Sequence, residues 1–137
     1  MFVKHSDEVK FDLVPQGEGV TRQMLISPEE GPNFAMRRYV VQPGGRIVNH
    51  TNTVEHEQYV LNGQADIGTG EKVFKVRKGD VVFMPAGEAH WYTNTGDDTF
   101  EFLCMVPNEE DVVEALEIRC TCGALIRVNL LYTHEEE

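Results

Sequence analysis

Three histidines are the residues of this chain whose types and positions could do chemistry. His50 and His56 lie close together, and His90 follows them after a long segment rich in turns and apolar residues. Neutral imidazole is a good ligand for iron, copper, nickel and zinc, and a site with fewer than four firm protein ligands keeps positions open for water or substrate. A lone histidine is more simply an ordinary polar residue on a strand. The spacing of the three therefore decides between the two interpretations.

The surroundings of His90 follow a specific pattern of turn residues and apolar residues. Gly79, Pro85, Gly87, His90 and Asn94 occupy the fixed positions of G-x5-P-x-G-x2-H-x3-N, with an apolar strand between the first two. This arrangement resembles the second motif of the cupin superfamily. The resemblance implies that His90 binds a metal inside a small β-barrel.

A less complete match to the first motif of that superfamily, G-x5-H-x-H-x3,4-E-x6-G, lies upstream. Gly44, His50 and Gly63 fit it, while Asn52 stands where the second histidine is expected. An amide is a weak ligand for a transition metal, so Asn52 either coordinates weakly or acts through a water molecule. The resemblance implies a metal site that includes His50, with Asn52 beside it.

The glutamate of that motif has two candidate positions. The longer spacer selects Glu57 but moves the closing glycine onto Gln64, whereas counting back from Gly63 places His56 in the glutamate's position. The second alignment resembles a group of small single-domain cupins of the cupin-2 type, in which histidine replaces the glutamate and four histidines hold the metal. This resemblance covers roughly residues 20–107 and implies that His56 joins the other two histidines as a ligand.

Strand alternation tests the assignment independently, because side chains two residues apart share a face of the strand. His56 then faces the same way as Gln58, and its neighbours Glu55 and Glu57 face the other way. If His56 enters the barrel, neither glutamate can also be a ligand. By the same argument, the side chains of His50 and Asn52 lie on the same face of their strand.

Alternation also predicts a small-molecule pocket beside the metal. Phe102 and Cys104 share the strand face opposite to Glu101, and Tyr92 shares a face with His90. Cys104 is either a packed side chain or a reactive thiol at the edge of this pocket. We therefore expect the aromatic rings and the thiol to line the cavity.

Two adjacent arginines add a possible anion contact. Of Arg37 and Arg38, one should face the interior, where it could clamp a carboxylate. A solvated position at the barrel rim is the alternative. The predicted pocket residues are Arg37, Gln58, Tyr92, Phe102 and Cys104.

A set of β-strands must position these side chains, and the sequence has the regularly spaced turn residues that such strands require. Short β-rich segments recur between turn clusters such as Pro43-Gly44-Gly45, which is typical of a barrel or sandwich. A barrel of this size holds side chains or one small ligand. We predict an all-β fold, a double-stranded β-helix (jelly-roll) barrel, with strands at 9–14, 21–26, 34–41, 46–49, 57–61, 65–67, 73–76, 81–84, 91–93 and 100–106.

One helix is predicted after the barrel strands. Asn108 is a suitable N-cap, the acidic residues 109–111 favour the positive end of a helix, and an apolar stripe continues to Leu116. Residues 118–132 alternate enough to form one or two further strands. We therefore expect a short C-terminal helix followed by an extra segment.

No repeat, linker or composition shift divides the chain. We treat residues 1–137 as a single cupin domain, with a core barrel at about 20–107 and an extension at 108–137. Within the extension, Cys120 and Cys122 share a strand face and could form half of a zinc site completed by a second chain. Two small buried residues is the simpler interpretation.

Composition excludes some classes of partner. A formal net charge of −11 argues against nucleic acid and anionic membrane, which both attract clustered Lys and Arg. The N-terminal residues contain no apolar segment of signal-peptide length, and no later run is long enough to span a bilayer. With three cysteines and no export signal, we expect reduced thiols and a cytoplasmic location.

The candidate metal site leads to three hypotheses. The first is a metal-dependent dioxygenase or other oxidoreductase that uses Fe, Mn, Zn, Ni or Cu and acts on a small anionic molecule, because three neutral ligands leave the metal its full charge. The second is a non-catalytic sensor or ligand-binding module, and the third is a barrel with an incidental metal. The outward apolar residues Leu103 and Met105, together with the family resemblance, predict a homodimer.

Overall fold

The chain runs as a succession of short antiparallel strands. The computed structural model describes residues 1–119, 125–126 and 130–134, with side chains described up to residue 117. A single 3-10 turn at Ser6–Glu8 precedes the strands. In chain order the strands are β1 (Asp12–Leu13), β2 (Gly17–Ile26), β3 (Phe34–Asn52), β4 (His56–Asn62), β5 (Gln64–Thr69), β6 (Lys72–Arg77), β7 (Val81–Met84), β8 (His90–Asn94), β9 (Phe100–Pro107), β10 (Asp111–Ala115), β11 (Ile118–Arg119), β12 (Leu125–Ile126) and β13 (Leu130–His134).

Eleven of these strands form one sheet within the described ranges. Its main path has the order β6-β5-β8-β3-β9-β4-β7, and β2 and β10 attach to β3 and carry β1 and β13. Sequence neighbours often lie apart in this order, so the sheet folds over itself and its inner faces meet. The expected all-β barrel of the double-stranded β-helix type is confirmed.

The long strand β3 joins the two halves of the barrel. Its residues 34–41 pair with β9 and β2, and its end pairs with β8 and β10. The sequence analysis placed a turn at residues 43–45 between two strands, but one strand continues through a bend there. Gly44 has a positive φ of 79° there, and a Cβ on Gly45 would meet two backbone oxygens at 2.8 Å. The glycines therefore bend one strand, and do not separate two.

Alternate side chains of the strands fill the barrel interior. Phe102 stacks between Tyr39 and Tyr92 with ring centroids 5.0 and 5.2 Å away and nearly parallel planes. Phe100 and Cys104 lie on the same face of β9 and are also buried. Each large apolar side chain buried in this way stabilises the fold by about 1.5–3 kcal/mol. The stack forms one wall of the cavity that holds the candidate site.

The predicted C-terminal helix is wrong. Asp111–Ala115 is strand β10, in which Asp111, Val113 and Ala115 are buried and the residues between them are half-buried. It pairs with the end of β3 on one side and with β13 on the other. Asn108 donates its side-chain amide to the carbonyl of Gly31 and caps no helix. Pairing with the open edge of β3 outweighs the helical pattern, because strand pairing with tertiary burial overrides local propensity.

The remaining C-terminal expectations have different outcomes. Strands β11 and β12 fall within residues 118–132, where further strands were predicted, and β13 begins there and extends to His134. Cys120 and Cys122 lie outside the described residues. Nowhere in the described ranges is a helix long and apolar enough to cross a membrane.

Candidate metal centre

Three strand ends bring the three histidines into one buried cavity. His50 near the end of β3 lies directly opposite His90 at the start of β8, and His56 opens β4. Their exposed fractions are 7%, 1% and 5% for His50, His90 and His56. The ring of His90 lies 4.4 Å from that of His50 and 6.2 Å from that of His56, centroid to centroid.

Backbone carbonyls orient two of the rings. The Nδ1 atom of His50 lies 2.7 Å from the carbonyl oxygen of Val48, and Nδ1 of His90 lies 2.8 Å from that of Glu88. Because a carbonyl only accepts hydrogen bonds, Nδ1 carries the hydrogen in both rings and Nε2 has the lone pair. Histidines that ligate metals are commonly held in this way.

All three rings are neutral at ordinary pH. Burial lowers the pKa of His50 to about 4. Burial, with the charge of Arg37, lowers the pKa of His56 to about 3, and burial, with the influence of His50, lowers that of His90 to about 3. A metal would therefore not have to displace protons from these ligands at pH 7.

Asn52 presents its carbonyl oxygen to the same cavity. Its Nδ2 atom donates to Oδ2 of Asp111 at 3.0 Å, and a carboxylate can only accept, so this contact fixes which end of the amide is which. Oδ1 of Asn52 is buried and has no hydrogen-bond partner. Asp111 is held in turn by the backbone N–H of Thr53 at 2.9 Å. The amide oxygen is therefore available to a metal or to a water bound to one.

The donor set suits a metal, although it is not a closed cluster. The Nε2 atoms of His56 and His90, like Oδ1 of Asn52, are buried without a hydrogen bond. Such atoms are costly unless something binds them. Across the described residues, no three His, Cys, Asp or Glu side chains approach closely enough to form a complete site by themselves. The fit therefore rests on lone pairs that share one cavity.

The two glutamates flanking His56 do not enter this cavity. Glu55 is exposed, and Glu57 is half-buried on the outer face of β4. A hydrogen bond with Glu55 raises the pKa of Glu57 to about 7. The structure thus places His56 inside and Glu57 outside, the arrangement that strand alternation predicts.

All five predicted pocket residues line the cavity that contains the histidines. The volume of this cavity is about 30 Å³. Gln58 donates to the hydroxyl of Tyr92 at 2.7 Å and lies 3.7 Å from Sγ of Cys104. Arg37 faces inward, 7% exposed, and donates to Cys104 at 3.2 Å. The rim alternative for Arg37 is therefore wrong. Its neighbour Arg38 points outward and pairs with Glu101 at 2.5 Å.

Sequence reasoning missed three polar residues of the site. Gln16 and Arg22 line the cavity, and Asp111 holds the amide of Asn52. Gln16 and Asp111 lie outside the segment covered by the motifs, so no spacing rule reached them. Arg22 could have been found, because it lies in the predicted strand 21–26, where alternation places it on one face with the apolar residues Met24 and Ile26.

Comparisons with known proteins agree with this geometry. The family model for the cupin domain, of the cupin-2 type, matches residues 37–106, slightly more than half of the chain. An oxalate-binding protein from Thermotoga maritima is 33% identical over 85 residues, which are 60% of this chain and 70% of that protein.

Solved structures extend the likeness beyond the matched segment. The polyketide cyclase RemF from Streptomyces resistomycificus superposes with a TM-score of 0.75 at 27% identity, covering 95% of this chain and 87% of its own. A predicted oxalate decarboxylase from Thermotoga maritima gives a TM-score of 0.69 at 26% identity, covering 77% and 98%. With its barrel, its two histidine motifs and the family match all in agreement, this chain belongs to the cupin family and is a small cupin of the cupin-2 type.

Proposed function

We propose that this protein binds a divalent transition metal through His50, His56 and His90 and acts with it on a small anionic molecule. Asn52 contributes a weak or water-mediated fourth contact. The observation that carries the proposal is the set of buried lone pairs without hydrogen-bond partners on His56, His90 and Asn52, all lining one cavity. Imidazole ligands suit Fe, Zn, Ni and Cu.

Neutral ligands shape the chemistry that the site could support. A divalent metal held by three imidazoles would keep its full charge and act as a strong Lewis acid with positions open to substrate. Around it, Tyr92 and Gln58 form a hydrogen-bonded pair at 2.7 Å. Burial raises the pKa of the Tyr92 hydroxyl, so it stays protonated and can orient a ligand. We infer a metalloenzyme of the oxygenase type from this combination of open metal positions and a small pocket.

The cavity limits the size of the substrate. Its volume is about 30 Å³, which is small for a ligand pocket. A polyketide is many times larger, so the activity named for the Streptomyces cyclase is not carried over to this chain. The space favours an anion of a few heavy atoms.

A second candidate is a non-catalytic protein that binds a small ligand in the same cavity. The observation that favours it is the Thermotoga maritima relative, which is named as an oxalate-binding protein. Both candidates need the metal and the anion, and they differ in whether the bound molecule is changed.

Two measurements separate these functions. Metal analysis of protein purified without an affinity tag should find about one divalent transition metal per chain, and the absence of bound metal after reconstitution would overturn both. Anaerobic titration of metal-loaded protein with small carboxylic acids, followed by oxygen, should give product if the protein is an oxygenase. Binding without any product after oxygen is added would favour the non-catalytic alternative.

A further inference from the structure

The cavity contains two chemically opposite sets of unsatisfied polar atoms. The first set, on the histidines and Asn52, carries lone pairs and suits a cation. The second set consists of N–H donors, namely Nε2 of Gln16, Nε of Arg22 and Nε of Arg37, all buried and without hydrogen-bond partners. Guanidinium groups have no acceptor, so this second set suits only a group that accepts hydrogen bonds. The same cavity is lined by both sets.

Strand register brings the two arginines together. In the β2–β3 pair, Arg22 lies opposite Tyr39, and Arg37 follows two residues away on the same face of β3. Arg22 and Arg37 are 8% and 7% exposed. The guanidinium of Arg37 lies over the ring of Tyr39 at 5.3 Å from its centroid. Two positive charges thus line one wall of the cavity.

Neither charge has an ion-pair partner among the side chains that the structure describes. Arg38 and Arg46, by contrast, pair with Glu101 and Glu117 at 2.5 and 2.6 Å. Asp111 influences Arg37 only through its charge, because its oxygens accept hydrogen bonds from Asn52 and Thr53. A buried charge without an ion-pair partner destabilises the fold, so an anionic ligand would relieve an existing penalty.

We propose that Gln16, Arg22 and Arg37 form a carboxylate subsite, which selects a short dicarboxylate whose second carboxylate faces the metal. Only the contact between the second carboxylate and the metal rests on the proposed function. Planar guanidinium groups match a carboxylate with two parallel hydrogen bonds, and the amide of Gln16 adds a neutral donor. The small cavity requires the two carboxylates to be close together, and oxalate is the smallest such molecule.

The first test is calorimetric titration of metal-loaded protein with oxalate, acetate and inorganic phosphate. Oxalate should bind more tightly than acetate, because only it can reach both ends of the cavity. Replacing Arg22→Gln should weaken oxalate binding about 10- to 100-fold, since it removes a charge-assisted hydrogen bond. The matched control is Arg38→Gln, an arginine on the outer face, which should leave the affinity unchanged. Tighter binding of phosphate than of oxalate, or an equal loss in both variants, would overturn the subsite.

A second variant guards against a misfolded Arg22 mutant. Gln16→Glu places a carboxylate of the chain itself beside the two arginines. It should raise the melting temperature of the metal-free protein and weaken oxalate binding, whereas a lower melting temperature would contradict the proposal. The change in melting temperature is measured without metal and does not depend on it.

Metal content distinguishes failure of the subsite from failure of the proposed function. Arg22 is not one of the proposed metal ligands, so the metal content of Arg22→Gln should equal that of the wild type. Unchanged metal with unchanged oxalate affinity would overturn the subsite and leave the metal function standing. Wild-type protein that takes up no metal, yet binds oxalate in an Arg22-dependent way, would overturn the metal function and support the subsite.

Discussion

His56 stands where the first cupin motif would place a glutamate, and its Nε2 atom is buried without a hydrogen bond. We expect His56→Ala to lose most of the bound metal, because it removes a strong donor from a site with only three. Glu57→Ala is the matched control, since that carboxylate lies on the outer face of β4. The amount of metal per chain in the two variants, measured by mass spectrometry, tests this expectation. If Glu57→Ala loses the metal and His56→Ala keeps it, the assignment of this strand is off by one residue.

The lowered pKa values of the three histidines predict how the stability of the metal-free protein changes at acidic pH. Each unfolded histidine binds a proton near pH 6.5, whereas the folded ones do so only near pH 3–4. The unfolded state therefore binds more protons in between, and the free energy of unfolding of the metal-free protein should fall as the pH drops below about 6.5. Above that pH these histidines should contribute no further change. The slope is about 1.4 kcal/mol per pH unit for each histidine.

Denaturant midpoints of metal-free protein between pH 7.5 and 4.5 would measure this effect. Because carboxylates also titrate toward the acid end, the wild type is compared with His90→Gln, which removes one of the three groups. The variant should show a shallower dependence on pH. Identical slopes for the two proteins would mean that His90 is not held neutral by burial.

At the scale of elements, β10 orients part of the proposed metal site from outside the motif-bearing strands. Its Asp111 fixes the amide of Asn52, whose oxygen points into the cavity. Asp111→Asn should weaken metal binding about 10- to 100-fold, as is typical when a group that orients a ligand is lost. Glu110→Gln, an exposed neighbour, is the control. Equal metal affinity in both variants, measured by competition with a chelator, would show that Asn52 does not contribute.

Much of this arrangement follows from the sequence, and the exceptions have a common cause. Local spacing and alternation correctly predicted that Gln58, Tyr92, Phe102 and Cys104 face inward. These methods depend on residues near each other in sequence. The contact of Asp111 with Asn52 depends instead on which strand edge was left open after the barrel had formed, which a local pattern does not encode. The helical pattern of the same segment then favoured the wrong element.

The bend in β3 was missed for a related reason. Proline and glycine at positions 43–45 are typical of a chain reversal, and within a short window a bend and a reversal have the same composition. What decides between them is that both halves of the strand find partners in different parts of the sheet. Such pairing is long-range information.

For the whole molecule, an apolar row crosses the outer face of the barrel. Val81 of the edge strand β7 lies opposite Tyr59, which lies opposite Leu103 of β9. Val81, Tyr59 and the nearby Phe83 are 77%, 44% and 59% exposed. Edge strands with exposed apolar side chains favour association, so we expect a homodimer that covers this row.

Light scattering at micromolar concentration tests the dimer. Wild-type protein should have twice the mass of one chain, and Val81→Lys with Phe83→Glu should reduce it to the mass of one. The control is a charge change on the opposite end of the main strand path, Val73→Lys in β6, which should leave the dimer intact. A wild-type monomer under these conditions would contradict the expectation.

The bent strand β3 has one more consequence, for the exchange of amide hydrogens with solvent. Because it pairs with β2, β8, β9 and β10, no local opening of one edge can free its central amides. The backbone oxygen of Val41, just before the bend, is also held by the side chain of Asn94 at 3.0 Å. Exchange of the amide of Val41 should therefore report opening of the entire barrel, whereas amides of the edge strands β6 and β7 exchange through local fraying. Metal at about 100 times its dissociation constant stabilises the folded state by about 2.7 kcal/mol, so the Val41 amide should exchange about 100-fold more slowly while the edge strands hardly change.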